Sequence, residues 1–157
     1  MAIPRELWYL PRPRRANKYR GGFPARFEKK LFELYPSQGI LQPFGGMAEY
    51  GMRCDINPDV GSDVVCDAHN LPFADNSFDF VLCDPPYSNE LSRSLYNTGE
   101  IKWGKYTSEA VRVSRGYIGL YHWHMQPRPQ GTEYDRIIVI ITRMRHLARF
   151  CCVFRKV

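Results

Sequence analysis

No C-x-x-C pair, internal repeat, low-complexity stretch or long aliphatic run occurs in this sequence. The longest strongly aliphatic run is "IIVII" at 137–141, against the roughly 20 apolar residues a membrane helix needs. A soluble chain with no membrane partner is therefore expected. The cysteines are an odd five without disulfide-framework spacing, which excludes a disulfide scaffold. The lack of C-x-x-C argues against structural zinc, and no metal is expected. A reducing, cytoplasmic setting fits these thiols. "MAIPRELWYLPRPRR" has no apolar core region ahead of its charges, so no targeting segment is expected. Residues 136–157 contain no acid at all.

What is present is globular in character: 44% hydrophobic and 14% aromatic residues over 157 positions, enough for one domain with a buried core. The expectation is a single domain over 1–157, with 1–23 a basic arm. The net charge of +6 is unevenly spread. Residues 1–30 carry nine Lys/Arg and two Glu, residues 136–157 carry six Lys/Arg, and the middle is acidic. Taken singly these charges read as solvated surface. As a pattern, basic ends around an acidic centre suit a polyanion held beside a site for a cationic ligand.

Along the chain, a helix is predicted from Pro24 through "ARFEKKLFELY", with Phe27, Leu31, Leu34 and Tyr35 as its apolar face and Pro36 as its stop. Strands are predicted at 39–44, 52–56, 63–68, 78–83 and 116–123, a helix at 108–114, and a closing hairpin from 136–143 and 149–156. Apolar runs without strict alternation indicate strands buried on both faces, hence a layered α/β sheet. Ligands of such sheets bind at the carboxyl ends of the strands, where this chain carries "PFGG", Asp55, Asp67 and "DPPY".

The stretch "LCDPPYSNE" at 82–90 is the most informative. Pro85 cannot donate to a sheet ladder, so it ends the strand "FDFVLC", and Asp84 before it is held extended. The result is a stiff corner offering one carboxylate, carbonyls without intervening N–H groups, and an aromatic ring. His122 and His124 on one strand end read as pocket lining or strand capping rather than metal ligands. Residues 88–106 interleave Arg93, Lys102 and Lys105 with Tyr96, Trp103 and Tyr106, as a lid touching nucleic acid does. An ordinary amphipathic connection would look the same.

Together "QPFGG…DINPD…DAHNLPFADNSFDFVLCDPPY" resembles the cofactor half of class I S-adenosylmethionine-dependent methyltransferases, over roughly residues 18–123. Its last four residues resemble the D/N/S-P-P-Y/F motif of enzymes that methylate exocyclic amines of nucleobases. The resemblance implies a Rossmann-like, doubly wound, mostly parallel sheet with an antiparallel carboxyl-terminal hairpin. It implies S-adenosyl-L-methionine as cofactor, held by Phe23, Pro24, Phe44, Gly45, Gly46, Asp55, Asp67 and Ala68. Asp55 would meet the ribose hydroxyls and Asp67 the adenine amine. As isolated acids, both read as turn or cap residues.

The implied chemistry belongs to Asp84, Pro85, Pro86 and Tyr87. The Asp84 carboxylate and the Pro85 carbonyl would each accept an amine N–H, letting the nitrogen turn tetrahedral toward the methyl donor. Tyr87 would offer a stacking face. Adenine N6 in DNA is the leading substrate, with DNA ahead of RNA as partner and a protein partner supplying sequence recognition. An RNA base, a small molecule, or a purely nucleic-acid-binding role are the alternatives. The first-strand loop departs from the family: Gln42 stands where an acid is usual and Ala48 replaces the last glycine. Asp55 follows Gly46 by only nine positions, against about 20 in an ordinary unit, so the first crossover helix must be compressed or missing.

Overall fold

The structure, a computed structural model, describes residues 2–12, 22–96, 99–142 and 147–157, without the side chains of 94–96. In chain order the elements are β1 (Arg5–Leu10), α1 (Phe27–Leu34), β2 (Ile40–Gln42), β3 (Met52–Asp55), β4 (Val64–Val65), β5 (Phe78–Cys83), α2 (Asn89–Tyr96), α3 (Trp103–Val113), β6 (Ser114–His122), β7 (Thr132–Thr142) and β8 (Ala148–Lys156). The strands form one sheet in the order β1-β7-β8-β6-β5-β2-β3-β4. Pairings from β4 across to β6 are parallel, β8 is antiparallel to both β6 and β7, and β1 runs parallel to β7. This is the expected Rossmann-like sheet with its antiparallel hairpin.

β5 keeps the boundaries read from the sequence because its local signals agree: an apolar run, then a proline that cannot pair. Its alternate residues serve both faces of the sheet. Phe80 and Leu82 join Phe27 and Leu31 of α1 in one core, while Val81 and Cys83 join Ala110 and Val113 of α3 in the other. Cys151 and Cys152 divide between the same two cores, as neighbours on a strand must. The sheet is therefore covered by α1 on one face and α3 on the other. β2 and β5 lie side by side where the chain's direction of travel across the sheet reverses, the place at which such folds open a crevice.

The link from β2 to β3, residues 43–51, contains no helix, as the short Gly46–Asp55 spacing implies. Its tight return depends on Gly51. With φ +71° there, an added Cβ would stand 2.5 Å from the Ile40 carbonyl oxygen.

Several expectations need correction. α1 begins at Phe27 rather than Pro24, because Arg26 adopts a left-handed φ of 69°. Leu34 is 37% exposed, whereas Phe32 and Glu28 are buried; the inward face is rotated from the one predicted. The amino-terminal arm contains β1, whose Trp8 and Leu10 are buried against the α1 core. Residues 13–21 of that arm, with Arg14 and Arg15, lie outside the described residues. The 88–106 connection holds α2 and the start of α3, and Asp67 sits beyond the two-residue β4 rather than ending a longer strand. Among the described residues, no helix is long and apolar enough to cross a membrane.

Candidate active site

A cleft of about 1450 Å³ opens along the carboxyl ends of β2 to β5. It is lined by all twelve residues singled out from the sequence: Phe23, Pro24, Phe44, Gly45, Gly46, Asp55, Asp67, Ala68, Asp84, Pro85, Pro86 and Tyr87. Residues spread over more than sixty positions thus meet on one edge because parallel strands all end there.

The wall beside β3 is built of short loops. Gly45 N–H donates to the Cys54 carbonyl at 2.7 Å. A Cβ on Gly45 would lie 2.7 Å from the Arg53 Cβ, so the backbones approach too closely for any other residue. The Asp55 carboxylate accepts Gly46 N–H at 3.2 Å through one oxygen and Asn57 N–H at 3.0 Å through the other. Asp55 therefore ties the loop down while still facing the cleft. Arg53 donates to the carbonyls of Gly46 (3.2 Å) and Gly61 (2.9 Å), joining the loops after β2 and β3.

Asp67 accepts both the backbone N–H and the Nδ1 of His69, at 2.9 and 2.7 Å. His69 Nε2 in turn accepts the Lys102 N–H at 2.9 Å, which assigns the His69 proton to Nδ1. Burial raises the Asp67 carboxyl pKa, but the two hydrogen bonds from His69 and the charge of Lys105 outweigh it and hold it below its ordinary value. It is an anion positioned by a histidine that sequence reasoning passed over.

The opposite wall begins with Asp84. At the carboxyl end of β5, its carboxyl is pushed up to about 7 by burial; a hydrogen bond from Tyr87 and the charge of Arg149 oppose this, and Glu28 adds to it. The Arg149 guanidinium lies 5.4 Å from the Tyr87 ring centroid. The Tyr87 ring packs against His122 at 4.8 Å and Trp123 at 5.5 Å. Tyr87 is thus more than an open stacking face: its hydroxyl secures the carboxylate and its ring is already partly covered. Arg149 of β8 was not foreseen, since its proximity to Asp84 arises only from the order of strands. Burial lowers the His122 pKa to about 4, helped by His124 and Arg149, so His122 is neutral at pH 7. Among the described residues, no cluster of three or more His, Cys, Asp or Glu could hold a metal.

Phe23 packs edge-on to Tyr121 at 5.0 Å and against Phe27 at 4.8 Å, which puts Phe23 and Pro24 over the α1 side of the cleft. Gln42, at the end of β2, donates its amide to Glu28 of α1 at 2.6 Å.

No known family profile matches the chain, and no curated protein does. Solved structures do. The 1,6-didemethyltoxoflavin-N1-methyltransferase of Burkholderia thailandensis, bound to 1,6-didemethyltoxoflavin and S-adenosylhomocysteine, superposes with a TM-score of 0.57 at 10% identity, over 82% of this chain and 75% of that one. A SAM-dependent methyltransferase from Aquifex aeolicus superposes with a TM-score of 0.51 at 15% identity, over 86% and 94%. At these identities the likeness is one of architecture: the chain has the Rossmann-like fold of S-adenosylmethionine-dependent methyltransferases.

Proposed function

We propose that this chain is an S-adenosylmethionine-dependent methyltransferase acting on an exocyclic amine of a nucleobase, with adenine N6 in DNA the first substrate to test. The observation that carries the reading is one cleft shared by two sets of groups. Asp55 and Asp67 hang from the ends of neighbouring parallel strands, and the Asp84-Pro85 ledge stands across from them. The donor set fits the cofactor. Two carboxylates suit hydroxyls and an amine, close-approach glycine backbone suits a flat ligand, and the Phe23 and Tyr121 rings suit an apolar stem.

When bound, the cofactor supplies an electrophilic methyl group on a sulfonium. The protein's own contribution is orientation. In this reading an ionised Asp84 accepts one amine N–H, and the Pro85 carbonyl accepts the other. Two acceptors in fixed positions favour the tetrahedral nitrogen over the planar one. The raised pKa of Asp84 leaves its carboxylate more basic than an ordinary aspartate, which suits a group that would accept the proton the nitrogen loses on methylation. The Tyr87 hydroxyl holds that carboxylate in place. Partners follow from charge: Arg12, Arg26 and Lys29 lie on the cleft lip and suit the phosphates of a nucleic acid. A separate protein that supplies sequence recognition belongs to the same reading.

A small heteroaromatic acceptor is the second reading. It is favoured by the Burkholderia enzyme, whose structure holds 1,6-didemethyltoxoflavin beside S-adenosylhomocysteine. The test is one labelled-cofactor assay against DNA, RNA and small aromatic amines, followed by nucleoside mass spectrometry. N6-methyladenine in DNA is the expected product; label in RNA or only in small acceptors reassigns the substrate. No S-adenosylmethionine or S-adenosylhomocysteine binding by calorimetry overturns the enzyme reading and leaves a nucleic-acid-binding module.

A further inference from the structure

β2 ends on Gln42, a neutral residue where related first strands end on an acid, yet the cleft does not lack a carboxylate at that point. Glu28, in the first turn of α1, is 92% buried by its 8% exposure and reaches Gln42 Nε2 at 2.6 Å. The same carboxylate accepts the backbone N–H groups of Glu49 (3.0 Å) and Tyr50 (3.3 Å), in the loop that replaces the first crossover helix. A negative charge has in effect moved from the strand to the helix that packs on it, and the 2.6 Å contact delivers it to the strand's end.

Three features mark this carboxylate as more than a loop anchor. It lines the cleft alongside Phe23, Pro24 and Asp84. It sits at the end of β2, the strand that neighbours β5 and its Asp84, which puts it by the reacting end of the cleft rather than by Asp67 beyond β4. Finally, all of its hydrogen-bond donors are neutral amides, and among the described residues no Lys, Arg or His makes an ion pair with it. A buried anion without a counter-charge is costly to the fold, and a cationic ligand group removes that cost.

We propose that Glu28 is the residue that receives the α-ammonium of the cofactor's methionine portion, in place of the acid that β2 lacks. The proposal rests on the methyltransferase reading above. It assigns Glu28 a ligand-selecting role: the cleft distinguishes ligands that carry an ammonium at this end from ligands that end at the thioether.

The experiment is calorimetry with two probes, S-adenosylhomocysteine and 5′-methylthioadenosine, which share the adenosine and differ in the amino-acid end. Glu28→Gln keeps the side chain's size. It should weaken S-adenosylhomocysteine binding by about 10–100-fold, the loss expected for one charged hydrogen bond, and leave 5′-methylthioadenosine within about twofold. Gln42→Glu added to Glu28→Gln returns a carboxylate to the strand and should recover most of the lost affinity. It also keeps the test alive should Glu28→Gln alone fail to fold, because the swapped pair retains one acid and one amide. Equal weakening of both probes means Glu28 only anchors the loop, and overturns the proposal. So does unchanged S-adenosylhomocysteine binding in Glu28→Gln. Binding of neither probe by the unmodified chain is a different result, which overturns the methyltransferase reading and this inference with it.

Discussion

The two halves of the sheet are built by different means. From β5 outward lie the long strands, nine residues in β6, eleven in β7 and nine in β8, and extended backbone ladders join them. On the other side β2, β3 and β4 have three, four and two residues, with no α-helix between them. That half is held by side chains bonding to backbone: Glu28 to residues 49 and 50, Asp55 to 46 and 57, Arg53 to 46 and 61, Asp63 to Arg53 N–H at 2.8 Å. Where ladders are short, carboxylates act as staples, and two of them, Glu28 and Asp55, also line the cleft. Structure and binding are therefore separable in the long-stranded half and joined in the short one.

The largest effect expected is at Asp84, on the boundary. Asp84→Asn removes a charged acceptor that matters as the amine turns tetrahedral, and should lower turnover by about a hundredfold or more. S-adenosylhomocysteine affinity should hardly change. Single-turnover methylation against calorimetry separates the two. Stability should move the opposite way. Burial raises the folded pKa to about 7, so ionisation costs the folded state, by an amount that grows as pH rises from about 4 to 7 and is constant above. Asp84→Asn should therefore match the parent near pH 4 and exceed it at pH 8, by up to about 4 kcal/mol. An equal difference at both pH values would show that Asp84 titrates normally.

Gly51→Ala should destabilise by about 3 kcal/mol, combining a left-handed backbone with a clash on the Ile40 carbonyl. Gly61→Ala, also at positive φ (64°) but facing open space, should cost only about 1 kcal/mol. Equal costs in thermal melts would mean the 43–51 loop relaxes freely, and the short half is less constrained than its bonds imply.

Asp55→Ala should weaken S-adenosylhomocysteine by about 1.5–3 kcal/mol and lower the melting temperature too, because one carboxylate serves both purposes. A binding loss with an unchanged melt would break the claim that staple and ligand group coincide.

Tyr87→Phe keeps the ring and removes the bond to Asp84. Because Asp84 must be ionised to accept an N–H, kcat/KM should rise with pH through a midpoint near 7. In Tyr87→Phe that midpoint should shift upward. An unmoved midpoint would return Tyr87 to a stacking role alone.

The smallest effect belongs to the amino-terminal arm. Replacing Arg12, Arg14 and Arg15 should flatten the salt dependence of nucleic-acid binding by somewhat under one log–log unit per lost phosphate contact. Cofactor binding should be unchanged. An unaltered slope would make these charges solvated surface.

How much of this could be read from residues alone differs from element to element. β5 and its ledge were legible because an apolar run, a proline stop and a carboxylate are local facts. The absent crossover helix was legible too, since nine residues cannot hold a loop, a helix and a strand's start. β1 was hidden: Trp8 and Leu10 sit among basic residues and become a strand only by pairing with β7, which follows in sequence by more than a hundred positions. The inward face of α1 was misjudged at Leu34 because hydrophobicity argued for burying it. Glu28 took an inward place instead, where amide partners met its charge.

By itself, the sequence determined the sheet's class, the order of its acidic strand ends and the stiffness of the Asp-Pro-Pro-Tyr corner, all of which depend on neighbours along the chain. Only the tertiary structure decided that Arg149 of β8 comes beside Asp84, that the Lys102 N–H meets His69, and that Glu28 of α1 reaches Gln42 and the backbone of residues 49 and 50. Each of these is a contact between elements remote in sequence. Burial and charge acquire their values only when packing brings such groups within a few ångströms of one another and away from water.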